Sequence, residues 1–148
     1  MKYNFEQLKS DYKTPPELIN KALQIIAPNH FNLDTCCSDT DFPADNYCIN
    51  GITDGLTAEW EQVNWCNPPF DECQKCIKKA FEEQQKGKTT LMLLPVRTET
   101  KYWHDYILFN HKVTIKFLRK GYRFIDAESG EYMGIFKNAL AFVHFLKI

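Results

Sequence analysis

Two consecutive prolines, Pro68 and Pro69, constrain this chain more than any other pair of residues. They follow the apolar stretch Val63-Asn64-Trp65-Cys66 and precede a run in which Cys73, Cys76, Ile77, Ala80 and Phe81 recur at helical spacing. A proline fixes its own φ, lacks an amide donor and biases the residue before it away from helix. Asn67-Pro68-Pro69-Phe70 therefore reads as a rigid exit from a buried strand into an amphipathic helix. In an open α/β sheet, ligands sit beyond the carboxyl ends of the strands, and this corner is such an end. With two donors removed, its outward groups are acceptors: the Asn67 side-chain oxygen and the Pro68 carbonyl. Phe70 adds an aromatic face. Two acceptors beside a flat ring suit a planar substrate that carries an NH2 group.

The rest of the chain supplies the sheet around that corner. Thr14 reads as a helix cap, with Pro15 and Pro16 in the first turn. Leu18, Ile19, Ala22, Leu23 and Ile26 then keep helical spacing until Pro28-Asn29. Phe31 to Asp34 reads as a short strand ending in an acid. Residues 35–62 show little periodicity and are expected to form a ligand-binding loop. Gly87 ends the second helix, and Thr89 to Leu94 form an apolar strand before Pro95. A helix is expected over 99–109, with Tyr102, Trp103, Tyr106 and Ile107 on one side. Val113 to Leu118, Tyr122 to Ile125 and Ala139 to Leu146 are strand-like, with a turn at Ser129-Gly130. This order predicts an α/β sheet whose last strands include an antiparallel pair.

At 148 residues, 44% apolar and 25% charged, the chain has one domain's worth of material and needs no disulfide or metal staple. No apolar run is long enough to span a membrane, and the first residues lack an apolar leader, so a cytoplasmic location is expected. Six cysteines are then read as reduced thiols. Cys73-x-x-Cys76 has zinc-ligand spacing, with Cys36, Cys37, Cys48 and Cys66 available. Both residues of that pair fall on the apolar stripe of their helix, however, and no second such pair exists, so no metal is expected.

Charge is divided unevenly along the chain. Residues 1–74 hold 4 Lys and Arg against 12 Asp and Glu, and residues 75–148 hold 14 against 7. Such a split points to a polyanionic partner. Arg97, Thr98, Lys101 and Trp103 follow an apolar strand on the same edge as Asn67, and Arg119, Lys120 and Arg123 surround Gly121. These residues suit contacts to DNA, the basic ones to its phosphates.

The Asn67-Pro68-Pro69-Phe70 segment resembles the [Asn/Asp/Ser]-Pro-Pro-[Tyr/Phe/Trp] signature of amino-methyltransferases that use S-adenosylmethionine. The wider layout resembles the phage-encoded DNA N6-adenine methyltransferase (Dam-like) family, from about residue 12 to 145. The resemblance rests on Thr14-Pro15, Leu33-Asp34 to Ser38, Asp54-Gly55-Leu56 with Trp60, and Trp65 to Phe70. It continues through Leu94 to Thr98 with Trp103, and Phe117-Leu118 to Phe124. The family implies a Rossmann-like methyltransferase sheet with helices on both faces. It also implies a single domain over 1–148, without a separate target-recognition domain.

The implied reaction moves a methyl group from S-adenosylmethionine to the exocyclic N6 of adenine in DNA. A paired base cannot reach such a pocket, so it is flipped out onto Phe70. Asn67, Pro68, Pro69 and Phe70 would form the catalytic corner. Tyr12, Thr14, Pro15, Asp34, Ser38, Asp54 and Asn67 would line the cofactor site, with Asn46 as a further polar group. Asp34 takes either ribose hydroxyls or the methionine ammonium. The phage family further implies action in a host cytoplasm and evasion of restriction. The chain departs from many methyltransferases in lacking a Phe-x-Gly-x-Gly turn, where Asp34-Thr35-Cys36-Cys37-Ser38 stands instead. The alternatives are methylation of RNA adenine or a protein amide, or an inactive nucleic-acid-binding relative.

Overall fold

The computed structural model describes residues 12–148; residues 1–11, read above as lacking an apolar leader, lie outside it. The chain runs β1 (Tyr12–Lys13), α1 (Pro16–Ile26), β2 (Phe31–Cys37), β3 (Ala44–Ile49), β4 (Val63–Cys66) and α2 (Cys73–Gln85). It continues through β5 (Thr89–Pro95), α3 (Lys101–Trp103), β6 (Val113–Phe117), β7 (Ile125–Asp126) and β8 (Leu140–Phe145). A single 3-10 turn, Phe70–Glu72, joins the proline corner to α2.

Six strands form one sheet in the order β3-β2-β4-β5-β8-β6. The first four are mutually parallel, and β8 lies antiparallel between β5 and β6. This is a Rossmann-like α/β sheet, and the expected antiparallel pair at its carboxyl-terminal end is present. From β2 the chain first adds β3 on one side and then β4 on the other. The strand order therefore reverses at the β2–β4 boundary, where the carboxyl ends of the two strands part into a crevice.

Alternation along the central strands builds a core on each face. Leu91 and Leu93 of β5 join Phe142 of β8 beneath Leu18, Ala22 and Ile26 of α1. Met92 and Leu94 point the other way, with Ala141 and Val143, onto Cys73, Cys76, Ile77 and Ala80 of α2. Helices thus cover both faces. Trp65 of β4 lies stacked on Phe42, with ring centroids 4.7 Å apart, and meets Phe31 edge-on. Beside α1, the same core takes Phe124, Met133 and Phe136 from the segment between β6 and β8.

Local differences from the sequence reading have physical causes. The stretch expected to be irregular contains β3; its residues Ala-Asp-Asn-Tyr-Cys-Ile carry no apolar run because β3 is an edge strand. The helix expected over 99–109 is three α-helical residues followed by a π-helical stretch, His104–Leu108. Strand content near Tyr122 shrinks to the two residues of β7, paired with β1. Thr14 does not cap α1: Pro15 holds the cap position without a side-chain hydrogen bond.

Two tethers hold the loop that precedes β4. Glu83 of α2 is fully buried and ion-paired to Lys79 at 2.8 Å and Lys88 at 3.2 Å. Lys88 also donates to the Trp60 carbonyl. Trp60 in turn donates its indole N–H to the Gly55 carbonyl at 2.7 Å. Gly55 is pressed so closely to β2 that a Cβ there would stand 1.9 Å from the Thr35 carbonyl oxygen.

Candidate active site

The proline corner opens at the carboxyl end of β4, at the sheet's switch point. Pro68 is buried, whereas Asn67, Pro69 and Phe70 are half-buried. Asn67 donates its side-chain amide to Thr14 Oγ1 at 2.9 Å, which turns its Oδ1 away from Thr14. The Pro68 carbonyl accepts the Tyr12 hydroxyl at 2.6 Å. Burial holds the Tyr12 phenol well above its ordinary pKa, so it remains a donor. Phe70 stacks with Tyr12 and with Phe136, each at a centroid distance of 5.3 Å, and meets Phe124 edge-on. Tyr12 and Thr14 are two residues apart on an extended segment, so both reach the corner from one side.

Two cavities flank the end of β2. The smaller, about 70 Å³, is lined by Tyr12, Thr14, Asp34, Ser38, Asp39 and Asn67 among others. The larger, about 440 Å³, lies between the ends of β2 and β3 and is lined by Thr35, Asp54, Leu56, Trp60 and Glu72 among others. Cys36 borders both. Its thiol donates to the Asn67 carbonyl at 3.3 Å, joining the cavity wall to the acceptor corner. The sequence marked Cys36 only as a spare thiol for a metal and as part of the segment that replaces a glycine-rich turn.

Asp34 is 3% exposed and accepts the Cys36 N–H at 3.3 Å. Among the described residues, no cation is paired with it. Burial pushes its carboxyl up to about 8, and the Cys36 N–H and nearby Asp39 modify that value only in part. A carboxyl held this way ionises readily only when a positive group arrives. Lys13 does not serve; it is pinned to Asp39 at 2.5 Å and Asp41 at 2.6 Å. The donor set therefore fits a cationic organic ligand, with its charged end at Asp34 and room for a larger end in the second cavity.

The remaining expected residues fall in several places. Asp54 is exposed at the rim of the larger cavity and holds an Asx turn, its Oδ1 accepting the Leu56 N–H at 2.9 Å. Pro15 lines a separate recess with Tyr122, Arg123 and Tyr132. Asn46 is bonded to Glu61 on β3, away from both cavities.

Of the expected DNA contacts, Thr98 and Lys101 are exposed beyond the carboxyl end of β5; Arg97, half-buried there, donates to Glu99 at 2.7 Å. Lys101 is ion-paired with Asp105. Arg119 and Lys120 are exposed around Gly121. Arg123 is anchored by its Nε to the Met133 carbonyl at 2.6 Å, with its guanidinium over the Tyr132 ring. Trp103 requires correction: it is 0% exposed, because α3 turns its ring into the core against α2 and β5. It packs the fold and cannot touch DNA. Cys73 and Cys76 face the same core, and burial pushes the Cys73 thiol up, away from the thiolate a metal would need.

An open, mostly parallel sheet with an acid-lined crevice at its switch point, and two acceptors at one corner, defines a Rossmann-like α/β protein. Residues 4–146 match the model of the DNA N-6-adenine-methyltransferase (Dam) family, and the chain belongs to that family. No curated protein matches it in sequence. Among solved structures it is similar to a precorrin 8w decarboxylase of Methanobacterium thermoautotrophicum. That likeness has 12% identity, covers 90% of this chain and 91% of the other, and has a TM-score of 0.49. Among the described residues, no helix is long and apolar enough to cross a membrane.

Proposed function

We propose that this protein transfers a methyl group from S-adenosylmethionine to N6 of an adenine rotated out of duplex DNA. The observation that carries the reading is the juxtaposition of Asn67 and Pro68 with the cavity that contains Asp34. When bound, S-adenosylmethionine supplies an electrophilic methyl group. Asn67 Oδ1 and the Pro68 carbonyl accept the two amino protons. That draws the nitrogen toward a pyramidal shape, frees its lone pair and stabilises the positive charge that develops on it. Asp34 holds the donor's ammonium, and the larger cavity walled by Asp54 and Trp60 accommodates its nucleoside. The surplus proton of the product leaves to water, so the corner needs no strong base. Positioning supplies much of the remaining acceleration.

The division of charge supports the same assignment. Acids from the first half of the chain line the donor side, and bases from the second half, such as Arg119, Lys120 and Lys137, are exposed to meet phosphates. The single six-stranded sheet with its covering layers supports action as one domain with a short or relaxed target sequence. The test is incubation with tritiated S-adenosylmethionine and duplex DNA, RNA or protein in separate arms. Label recovered from DNA as N6-methyladenine is expected. Label only in RNA or protein would replace the substrate, and none in any arm would overturn the reading.

A further inference from the structure

A ring already lies where the reaction needs a base. Tyr12 places an aromatic ring on Phe70, 5.3 Å between centroids and 20° between planes, and delivers its O–H to the Pro68 carbonyl at 2.6 Å. Adenine bound for methyl transfer would do the same two things, stacking on Phe70 and donating a proton to that carbonyl. We propose that Tyr12 is a stand-in for the target base, and that it must leave the corner before adenine can be seated. The proposal rests on the methyltransferase reading above.

Three features favour displacement of Tyr12 over displacement of Phe136. Phe136, the second ring on Phe70, is 2% exposed and belongs to the core over α1, whereas Tyr12 is only half-buried. Tyr12 belongs to a strand of two residues, paired with another of two residues. Displacing Tyr12 breaks that short ladder and its contact with Phe124, 4.9 Å between centroids, while moving Phe136 would open the core. Finally, the phenol is protonated at neutral pH, burial holding its pKa higher still, and it can be exchanged for another donor without leaving Pro68 unpaired. The exchange is close to balanced at the carbonyl, so the stand-in weakens base binding without forbidding it.

A residue with a merely structural or positioning role loses activity when altered; a stand-in that competes with substrate does the opposite. The test uses Tyr12→Phe, which keeps the ring and removes only the hydroxyl, with Tyr12→Leu as a second variant that also removes the stack. Single-turnover methylation of a long unmethylated duplex gives the half-saturating DNA concentration and the limiting rate. Calorimetry gives the affinity for S-adenosylmethionine. For Tyr12→Phe we expect half-saturation at a concentration lower by about threefold to tenfold, the scale of one competing hydrogen bond. Tyr12 also borders the donor cavity, so half-saturation is measured at saturating S-adenosylmethionine and any change in donor affinity is read separately. Tyr12→Leu, if it folds, should shift half-saturation further in the same direction. An unchanged or raised half-saturation in Tyr12→Phe overturns the proposal while leaving the methyltransferase reading intact. Wild-type protein that methylates no DNA overturns that reading, and this is seen before any variant is compared.

Discussion

The buried carboxyl of Asp34 ties donor binding to pH in a way that can be worked out in advance. Its pKa of about 8 means that the ligand-free protein carries it mostly as the neutral acid at pH 6. A cationic ligand end binds the ionised form. The ligand's own α-amino group, with a pKa near 7.7–8.0, must stay protonated. The fraction of pairs with both charges in place is about 1% at pH 6 and about 20% at pH 8, so affinity should rise roughly 20-fold over that interval. Above pH 8 it should level and then fall as the ligand's amine loses its proton. Isothermal titration calorimetry with S-adenosylmethionine, repeated in buffers of different ionisation enthalpy, reads both the affinity and the proton released on binding. In Asp34→Asn the rise should vanish.

The ligand-free protein offers an independent check. A carboxyl whose folded pKa is raised contributes stability that is full below its unfolded value of 3.8 and is lost as pH climbs through about 8. Asp34→Asn should therefore melt higher than wild type above pH 8, and the gap should close near pH 4. An affinity that is flat within threefold between pH 6 and 8, or an Asn variant that keeps the slope, refutes the reasoning. If 5′-methylthioadenosine, which has no amino-acid end, shows the full rise, Asp34 holds ribose hydroxyls and the ammonium assignment is wrong.

Other consequences are more direct. Asn67→Ala should cut the methylation rate by about 100-fold or more while donor affinity changes less than threefold, since one of two charge-stabilising acceptors is lost; a variant within tenfold of wild type would remove Asn67 from the chemistry. Glu83→Ala strands Lys79 and Lys88 without their buried partner, and should destabilise the fold by about 3 kcal/mol, lowering the melting temperature by about 10 °C. An unchanged melt would show the cluster to be dispensable. Replacing Lys120 by Gln should weaken DNA binding across all sequences and reduce the slope of log affinity against log salt by about one, measured by fluorescence anisotropy; an unaltered slope would place Lys120 away from the phosphates.

Much of this molecule was legible in its sequence, and the parts that were not share a cause. The proline corner, the stripe of α2 and the apolar run of β5 are local signals, and each produced the element it predicted. β3 escaped because an edge strand half in solvent carries no hydrophobic pattern. Thr14 had the chemistry of a helix cap but is used across 53 residues by Asn67, a choice made by tertiary packing. Trp103 shows the same limit: its place after the apolar strand put it near a basic edge, and only the direction in which α3 packs decides that its ring goes inward. The acceptor pair could be read because two prolines leave the backbone few options. The hydrogen bonds that hold the corner, from the Tyr12 hydroxyl to the Pro68 carbonyl and from the Asn67 amide to Thr14, could not be read because nothing local joins those residues.

Gly55 shows how far such a fold can constrain a residue with no chemistry of its own. The clearance between it and the Thr35 carbonyl admits a hydrogen and nothing heavier, and Thr35 is the immediate neighbour of Asp34. Any larger side chain would have to shove the strand that carries the buried acid, so damage would surface as failure to retain the donor rather than as unfolding. Any residue larger than glycine is therefore excluded at this loop position for a reason of space alone.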